Sequence, residues 1–168
     1  MTDAQSGEPR PEPDWLTDNE LAAWEPLAAM LVKLPPALDA QVQRDIGVNH
    51  FEYGVLANLA KASDRRLRLR ELAARASGSL SRVSHAVKRL EQRGWVVREP
   101  TPDDSRYADV VLTDAGWAAG AAAAPGHVAT VRRLVIDHLS ATQLRYVRSI
   151  CTRVVKQLDI DEVEQRRR

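Results

Sequence analysis

Residues 77–113 read SGSLSRVSHAVKRLEQRGWVVREPTPDDSRYADVVLT, and this stretch decides the fold. Leu80, Val83, Val87 and Leu90 recur at i, i+3, i+7 and i+10, one face of a helix of period 3.6. Ser79 stands where an N-cap hydroxyl accepts from a first-turn N–H, and Gly94 where a helix commonly ends in a left-handed residue. A turn of 100° per residue puts Ser81, Arg82, His85, Lys88, Arg89 and Gln92 on the opposite face, while the only acid, Glu91, sits at the edge of the apolar stripe. On an isolated helix, that basic face reads equally well as solvated surface.

The residues that follow favour the other reading. Trp95, Val96 and Val97 are β-prone, Pro100, Pro102, Asp103 and Asp104 break the run, and Val110, Val111 and Leu112 resume it. That is a two-stranded hairpin with a polar tip carrying Arg106. A helix followed by such a wing lies in the major groove of DNA, with the tip arginine at the minor groove or backbone.

The same region carries a resemblance. L-R-E-L-A at 69–73, S-R-V-S at 81–84, K-R-L-E-Q-R-G at 88–94, D-S-R at 104–106 and L-T-D-A-G at 112–116 resemble the multiple-antibiotic-resistance regulator (MarR) family of winged-helix transcription factors. Each piece is weak alone, but five in the family's order and spacing are specific. The similarity runs from about Leu16 to Leu158. It implies a mainly α fold with a small β-wing, a winged helix-turn-helix flanked by N- and C-terminal dimerisation helices. It further implies a homodimer on a pseudo-palindromic operator, often a repressor released by a small aromatic or phenolic effector. By this resemblance Arg106 is the wing-tip arginine and Asp104 the residue that orients it. Arg70 departs from the family, which commonly has serine as the cap at that position.

Charge distribution supports a nucleic-acid partner. The whole chain of 168 residues is nearly neutral at +1. Residues 1–60 carry 3 basic and 10 acidic side chains, whereas residues 61–106 carry 12 basic and 6 acidic. Phosphate binding requires that local concentration, whatever the total. The expected DNA-contacting residues are Arg70, Ser79, Ser81, Arg82, Ser84, His85, Lys88, Arg89 and Arg106, with Asp104 as support.

The flanks read as amphipathic helices. Residues 1–15 are Pro-rich and acidic and are expected to be a disordered tail. Thr17 with Glu20 forms a capping box opening the first helix. Leu21, Trp24, Leu27, Met30 or Leu31, Leu34 and Leu38 give it an apolar stripe, which predicts a partner surface or packing within its own domain. Pro26 and Pro35-Pro36 predict a kink or break. Asn49 with Glu52 caps a second helix reaching about Ala62, followed by a short extended piece at 67–69 and a third helix over 70–76. Thr113 caps the fifth helix, with a kink expected at Pro125-Gly126 and the helix resuming through Ile136. Ser140 with Gln143 caps the last, whose stripe includes Leu144, Val147, Ile150, Val154 and Leu158. The expected organisation is a tail at 1–15, a dimerisation region at 16–46, a DNA-binding lobe at 47–113, dimerisation helices at 114–160 and a polar tail at 161–168.

Other chemistries lack a signature. Trp24, His50 and Tyr53 read equally as the lining of a small-molecule pocket and as core. The four histidines lack the close spacing of metal ligands, so no metal and no cofactor is expected. The single cysteine, Cys151, rules out an intrachain disulfide and falls in the stripe of the last helix, which predicts a buried, inert thiol. No phosphate loop, nucleophile elbow or pair of carboxylates in an apolar setting is present, so no catalytic residues are expected. The N-terminus lacks a signal peptide's basic and apolar regions, and no apolar stretch is long enough for a bilayer, so a cytoplasmic location away from membranes is expected. Two rival functions remain at this level: an effector-independent or architectural DNA-binding protein, and a winged-helix protein–protein module.

Overall fold

The computed structural model describes residues 13–101 and 104–165, with side chains described over 13–101 and 108–160. The tails at 1–12 and 166–168, and the side chains of Asp104 and Arg106, lie outside the described residues. The chain divides into two compact units, Met1–Leu34 and Pro35–Arg168.

In the first unit, Thr17 and Glu20 form the expected cap: Thr17 N donates to Glu20 Oε2 at 2.8 Å and Glu20 N to Thr17 Oγ1 at 3.4 Å. Helix α1 (Asp18–Ile46) follows. Within this unit its stripe of Leu21, Trp24, Leu27, Met30 and Leu31 is exposed. Of the kink or break expected there, the break does not occur: α1 is one helix through Pro26 and Pro35-Pro36. Each proline removes one i→i−4 bond, and the Ala, Leu and Met residues around it are strong helix formers that carry the helix past the gap.

The second unit holds the core. Helices α2 (His50–Lys61), α3 (Leu69–Arg75) and α4 (Leu80–Gln92) pack around Val55, Leu56, Leu59, Leu72, Val83, Val87 and Leu90, all at most 1% exposed. Asn49 caps α2: its side chain accepts from Glu52 N at 2.8 Å, while Asn49 N donates to Glu52 Oε2 at 3.0 Å. The wing is β2 (Val96–Thr101) against β3 (Asp104–Leu112), antiparallel in a register that pairs Val96 with Leu112 and Pro100 with Ala108. A third strand, β1 (Arg66–Arg68), pairs with β3 on its other side, so the sheet order is β1-β3-β2 and not a two-stranded ribbon alone. Arg66 ties this sheet together through Glu99 and the buried Asp109, which also accepts from Thr101 Oγ1 at 2.9 Å.

Helix α5 (Asp114–Leu134) begins on Thr113, whose hydroxyl accepts from Gly116 N at 3.0 Å and donates to Gly94 O at 2.8 Å. It runs unbroken through Pro125 and ends two residues earlier than the sequence suggests, in a 3₁₀ turn over Ile136–His138. Gly126 is a packing point: a Cβ there would lie 2.4 Å from Asp45 Oδ2. Helix α6 (Ala141–Gln165) is a long helix with a row of exposed apolar residues, among them Ile150 at 56% and Leu158 at 61%. Cys151 is exposed with them, which corrects the buried-thiol expectation. The periodicity placed it correctly in the stripe, and among the described residues of the second unit that stripe stays exposed. Among the described residues no helix is long and apolar enough to cross a membrane.

Candidate DNA-reading surface

The surface is built from the turn before α4. Ser77 takes a left-handed conformation, with φ at 49°, and Gly78 N donates to Ala73 O at 3.0 Å, closing α3. A Cβ on Gly78 would lie 2.6 Å from Phe51 Cζ, so glycine is what lets the turn sit against α2. Ser79 then accepts from Arg82 N at 3.2 Å and α4 starts. At the other end Gly94, with φ at 71°, donates to Glu91 O at 2.8 Å, and Trp95 N reaches Leu90 O at 3.0 Å. Both ends of the helix are therefore set by residues that the sequence singled out.

Val83, Ala86, Val87 and Leu90 form the buried face. Leu80 does not join them. It is 44% exposed and lines a groove with Leu69, Ala108 and Val110. Ser81, Arg82, His85, Lys88, Arg89 and Gln92 are all exposed on the outward face, and Ser84 is half-buried. The Ser84 carbonyl accepts from Arg98 Nη2 at 3.4 Å.

The outward cations are held differently. The Arg82 guanidinium lies 4.0 Å over the Phe51 ring. Arg89 donates through Nε to Glu52, whose carboxylate is buried. No bond from another described side chain holds Lys88 or His85. Beyond the helix terminus, Arg93 donates to Ile46 O at 2.9 Å and reaches the Gly47 carbonyl, anchoring α4 to the turn between α1 and α2. Arg70 is exposed on α3 and lines a groove with Arg68 and Arg98, between α3, the start of α4 and the sheet. The sequence reading missed Arg68 and Arg98. Both are exposed, on strands too short to show a pattern of their own. Arg98 is also paired with Glu91 at 3.2 Å.

The candidate pocket residues belong to two units. Trp24 lies in the first unit and is half exposed. In the second unit, His50 and Tyr53 are joined by His127 from α5, a residue the sequence reading did not connect with them. The ring centroids lie 5.3 Å (His50–His127) and 4.8 Å (Tyr53–His127) apart. Burial lowers the pKa of His50 and of His127, and the His50 charge lowers that of His127 further, while Asp39 opposes the shift at His50. Asp39 Oδ1 accepts from His50 N at 2.8 Å. Beside them Gln41 is 3% exposed and donates to Asp45 at 2.6 Å. Gln41 Oε1 and His127 Nδ1 are buried with no partner among the described residues. The described residues contain no group of three or more His, Cys, Asp or Glu able to hold a metal ion.

A helix-turn-helix with a three-stranded wing and a cationic outward helix defines a winged helix-turn-helix protein. The MarR family profile matches residues 46–106. The chain is 43% identical to Sco3205, a MarR family transcriptional regulator from Streptomyces coelicolor solved in complex with DNA, at a TM-score of 0.84 over 89% of this chain and 93% of that one. It is 33% identical to AbsC, a MarR family transcriptional regulator from the same organism, at a TM-score of 0.83 over 88% of this chain and 99% of that one. CouR from Rhodococcus jostii RHA1, solved with p-coumaroyl-CoA, shares the fold alone at 22% identity and a TM-score of 0.66, over 79% of this chain and 93% of that one. No curated protein matches the sequence. The chain belongs to the MarR family of transcriptional regulators.

Proposed function

We propose that this regulator binds a pseudo-palindromic operator as a homodimer, with α4 of each protomer in the major groove and the wing beside it, and that it represses until a small aromatic or phenolic ligand binds. The observation that carries the DNA reading is the outward face of α4, where Arg82, His85, Lys88 and Arg89 stand together on a helix capped at both ends. The 43% identical relative solved with DNA supports it. In this reading Ser79, Ser81 and Ser84 serve phosphates or base edges, Arg70 meets a phosphate, and Arg106 at the wing tip, supported by Asp104, meets the minor groove or backbone.

The dimer reading rests on the uncovered apolar residues of α6 and, in the first unit, of α1. Single exposed apolar residues are ordinary, but stripes of this length mark partner surfaces. Residues 16–46 and 114–160 would form the dimerisation region around the lobe at 47–113. The effector reading rests on the junction of α1, α2 and α5, where Gln41 Oε1 and His127 Nδ1 are buried beside Tyr53 with no hydrogen-bond partner among the described residues. A ligand there would bias two arrangements of different operator affinity.

The test is to select duplexes from a random pool, then titrate the selected duplex with and without a panel of phenolic acids. Selective binding weakened by one of these acids is the expected result. Selective binding that no acid changes would leave an effector-independent regulator. Equal affinity for selected and shuffled duplex would overturn the operator reading.

A further inference from the structure

We propose that the dipeptide Phe51-Glu52 on α2 pre-sets the two arginines of α4 for DNA, so that α2 governs operator discrimination without touching the duplex. The inference rests on the reading of α4 as the DNA-reading helix.

Arg82 and Arg89 are seven residues apart, so they emerge from nearly the same face of α4, two turns apart. Each meets one member of the dipeptide. The Arg82 guanidinium carbon sits over the Phe51 ring, 4.0 Å from its centroid. Stacking on an aromatic face fixes the guanidinium plane and leaves its edge, where the N–H fork lies, open to a base. The Phe51 ring is itself fixed: it packs on the core from one side and on Gly78 from the other, with no room for a Cβ between them.

Glu52 is 5% exposed and held by its own helix cap. One carboxylate oxygen accepts from Asn49 N at 3.0 Å and the other from Arg89 Nε. A buried carboxylate needs a cation or several donors to stay ionised, so the pair holds Arg89 in one place. With Nε committed, the two terminal nitrogens of Arg89 remain outward on an exposed side chain. Exposed arginines lose rotamer freedom when they bind, and a side chain already ordered loses less. Lys88 and His85, on the same helix, lack such support, so discrimination is concentrated in the two arginines.

The experiment uses the full chain, a duplex selected by the wild-type protein from a random pool, and a shuffled duplex of the same composition. Phe51→Leu keeps an apolar group of similar bulk and removes the flat face. It is expected to weaken the selected duplex roughly three- to tenfold and to leave the shuffled duplex unchanged. In an Arg82→Ala background the same substitution is expected to cost less than about twofold, because its target is gone. Glu52→Gln keeps the cap acceptor and removes the charge, and is expected to behave the same way toward Arg89→Ala. Phe51→Met, read by the same cycle, replaces Phe51→Leu if the latter lowers the melting temperature. Equal fold-losses with and without the arginine would overturn the positioning role and leave the DNA reading intact. Arg82→Ala that binds the selected duplex like wild type would overturn both.

Discussion

The rings of His50 and His127 lie 5.3 Å apart, and His127 Nδ1 is buried with no partner among the described residues. The pair joins α2 to α5 while both rings are neutral. Burial holds both pKa values below the usual 6.5, and a charge on His50 lowers that of His127 further. The carboxylates of Asp39, Asp45 and Glu52 lie on the neighbouring turns, but Asp45 is bonded to Gln41, and Glu52 to Arg89 and Asn49.

This gives a pH dependence with a fixed sign. A histidine whose folded pKa is depressed binds fewer protons folded than unfolded in the window between its two pKa values. Stability is therefore fully present above the unfolded value and falls as pH drops below it. The melting temperature should decline from about pH 7 to about pH 5.5, above the range where carboxylates titrate. His127→Gln should flatten that decline. The check is thermal melting at half-unit pH steps. An unchanged slope in the mutant would assign the dependence to other groups.

Gly116 is the last residue of L-T-D-A-G, a motif that carried the family resemblance. The structure shows its physical reason: a Cβ there would lie 2.1 Å from Trp95 O, a backbone atom that cannot swing away. Gly116→Ala should destabilise the fold by roughly 1–3 kcal/mol, at the upper end because the backbone between α4 and β2 must shift. Gly54→Ala, where no atom lies within 4 Å, is the control and should be neutral or slightly stabilising. Chemical denaturation of both variants measures this, and equal stabilities would refute the close-packing account.

Local signals were the legible ones. Ser79, Gly94, Asn49, Thr113 and Thr17 mark element ends because a cap involves residues three or four apart, within reach of sequence inspection. The buried face of α4 followed from its period, apart from Leu80, whose burial depended on a neighbour the period does not report. Relationships across the chain stayed hidden. Arg89 with Glu52 spans 37 residues, and within their own segments one read as a DNA contact and the other as a helix cap. His127 reads as an isolated polar residue in an Ala-rich helix until α5 is laid on α2. The piece at 67–69 was visible as extended, yet its pairing with β3 was not, because a three-residue strand has no pattern of its own. Arg82, Lys88 and Arg89 look alike in sequence, and only their supports distinguish them.

The uncovered stripe of α6 predicts an association that can be broken at one point. Ile150 and Val154 are 56% and 48% exposed and one turn apart. A charge placed between two such surfaces is buried without a partner. Ile150→Glu with Val154→Glu should convert a dimer of twice 18.7 kDa into a monomer, measured by light scattering at micromolar concentration. Cys151 in the same stripe gives a second readout: its thiol should react slowly with a colorimetric disulfide reagent in the wild type and quickly in the double mutant. A wild-type protein already monomeric with a fast-reacting thiol would contradict the dimer. Cys151→Ser should leave DNA binding unchanged with or without peroxide.

Arginines around the DNA-reading surface should divide by what they touch. Arg82, over the Phe51 ring and exposed on α4, is proposed to meet a base edge. Arg70 on α3 and Arg106 at the wing tip are assigned to phosphates or to groove shape. Arg82→Ala should therefore relax base preference and cost roughly 1–3 kcal/mol on the selected duplex, the range of a lost bidentate contact, while leaving the shuffled duplex nearly unaffected. Arg70→Ala and Arg106→Ala should weaken both duplexes by similar factors. Each should also reduce the slope of log affinity against log salt by about one, because one released counterion is lost per phosphate contact. Arg70 is exposed and makes no ion pair among the described residues, so its removal should leave folding within about 0.5 kcal/mol of wild type. The measurement is a titration of both duplexes at four salt concentrations, with melting curves for each variant. If Arg82→Ala changed the salt slope and left base preference intact, its side chain would belong with the phosphate contacts, and the outward face of α4 would be set at the wrong depth in the groove.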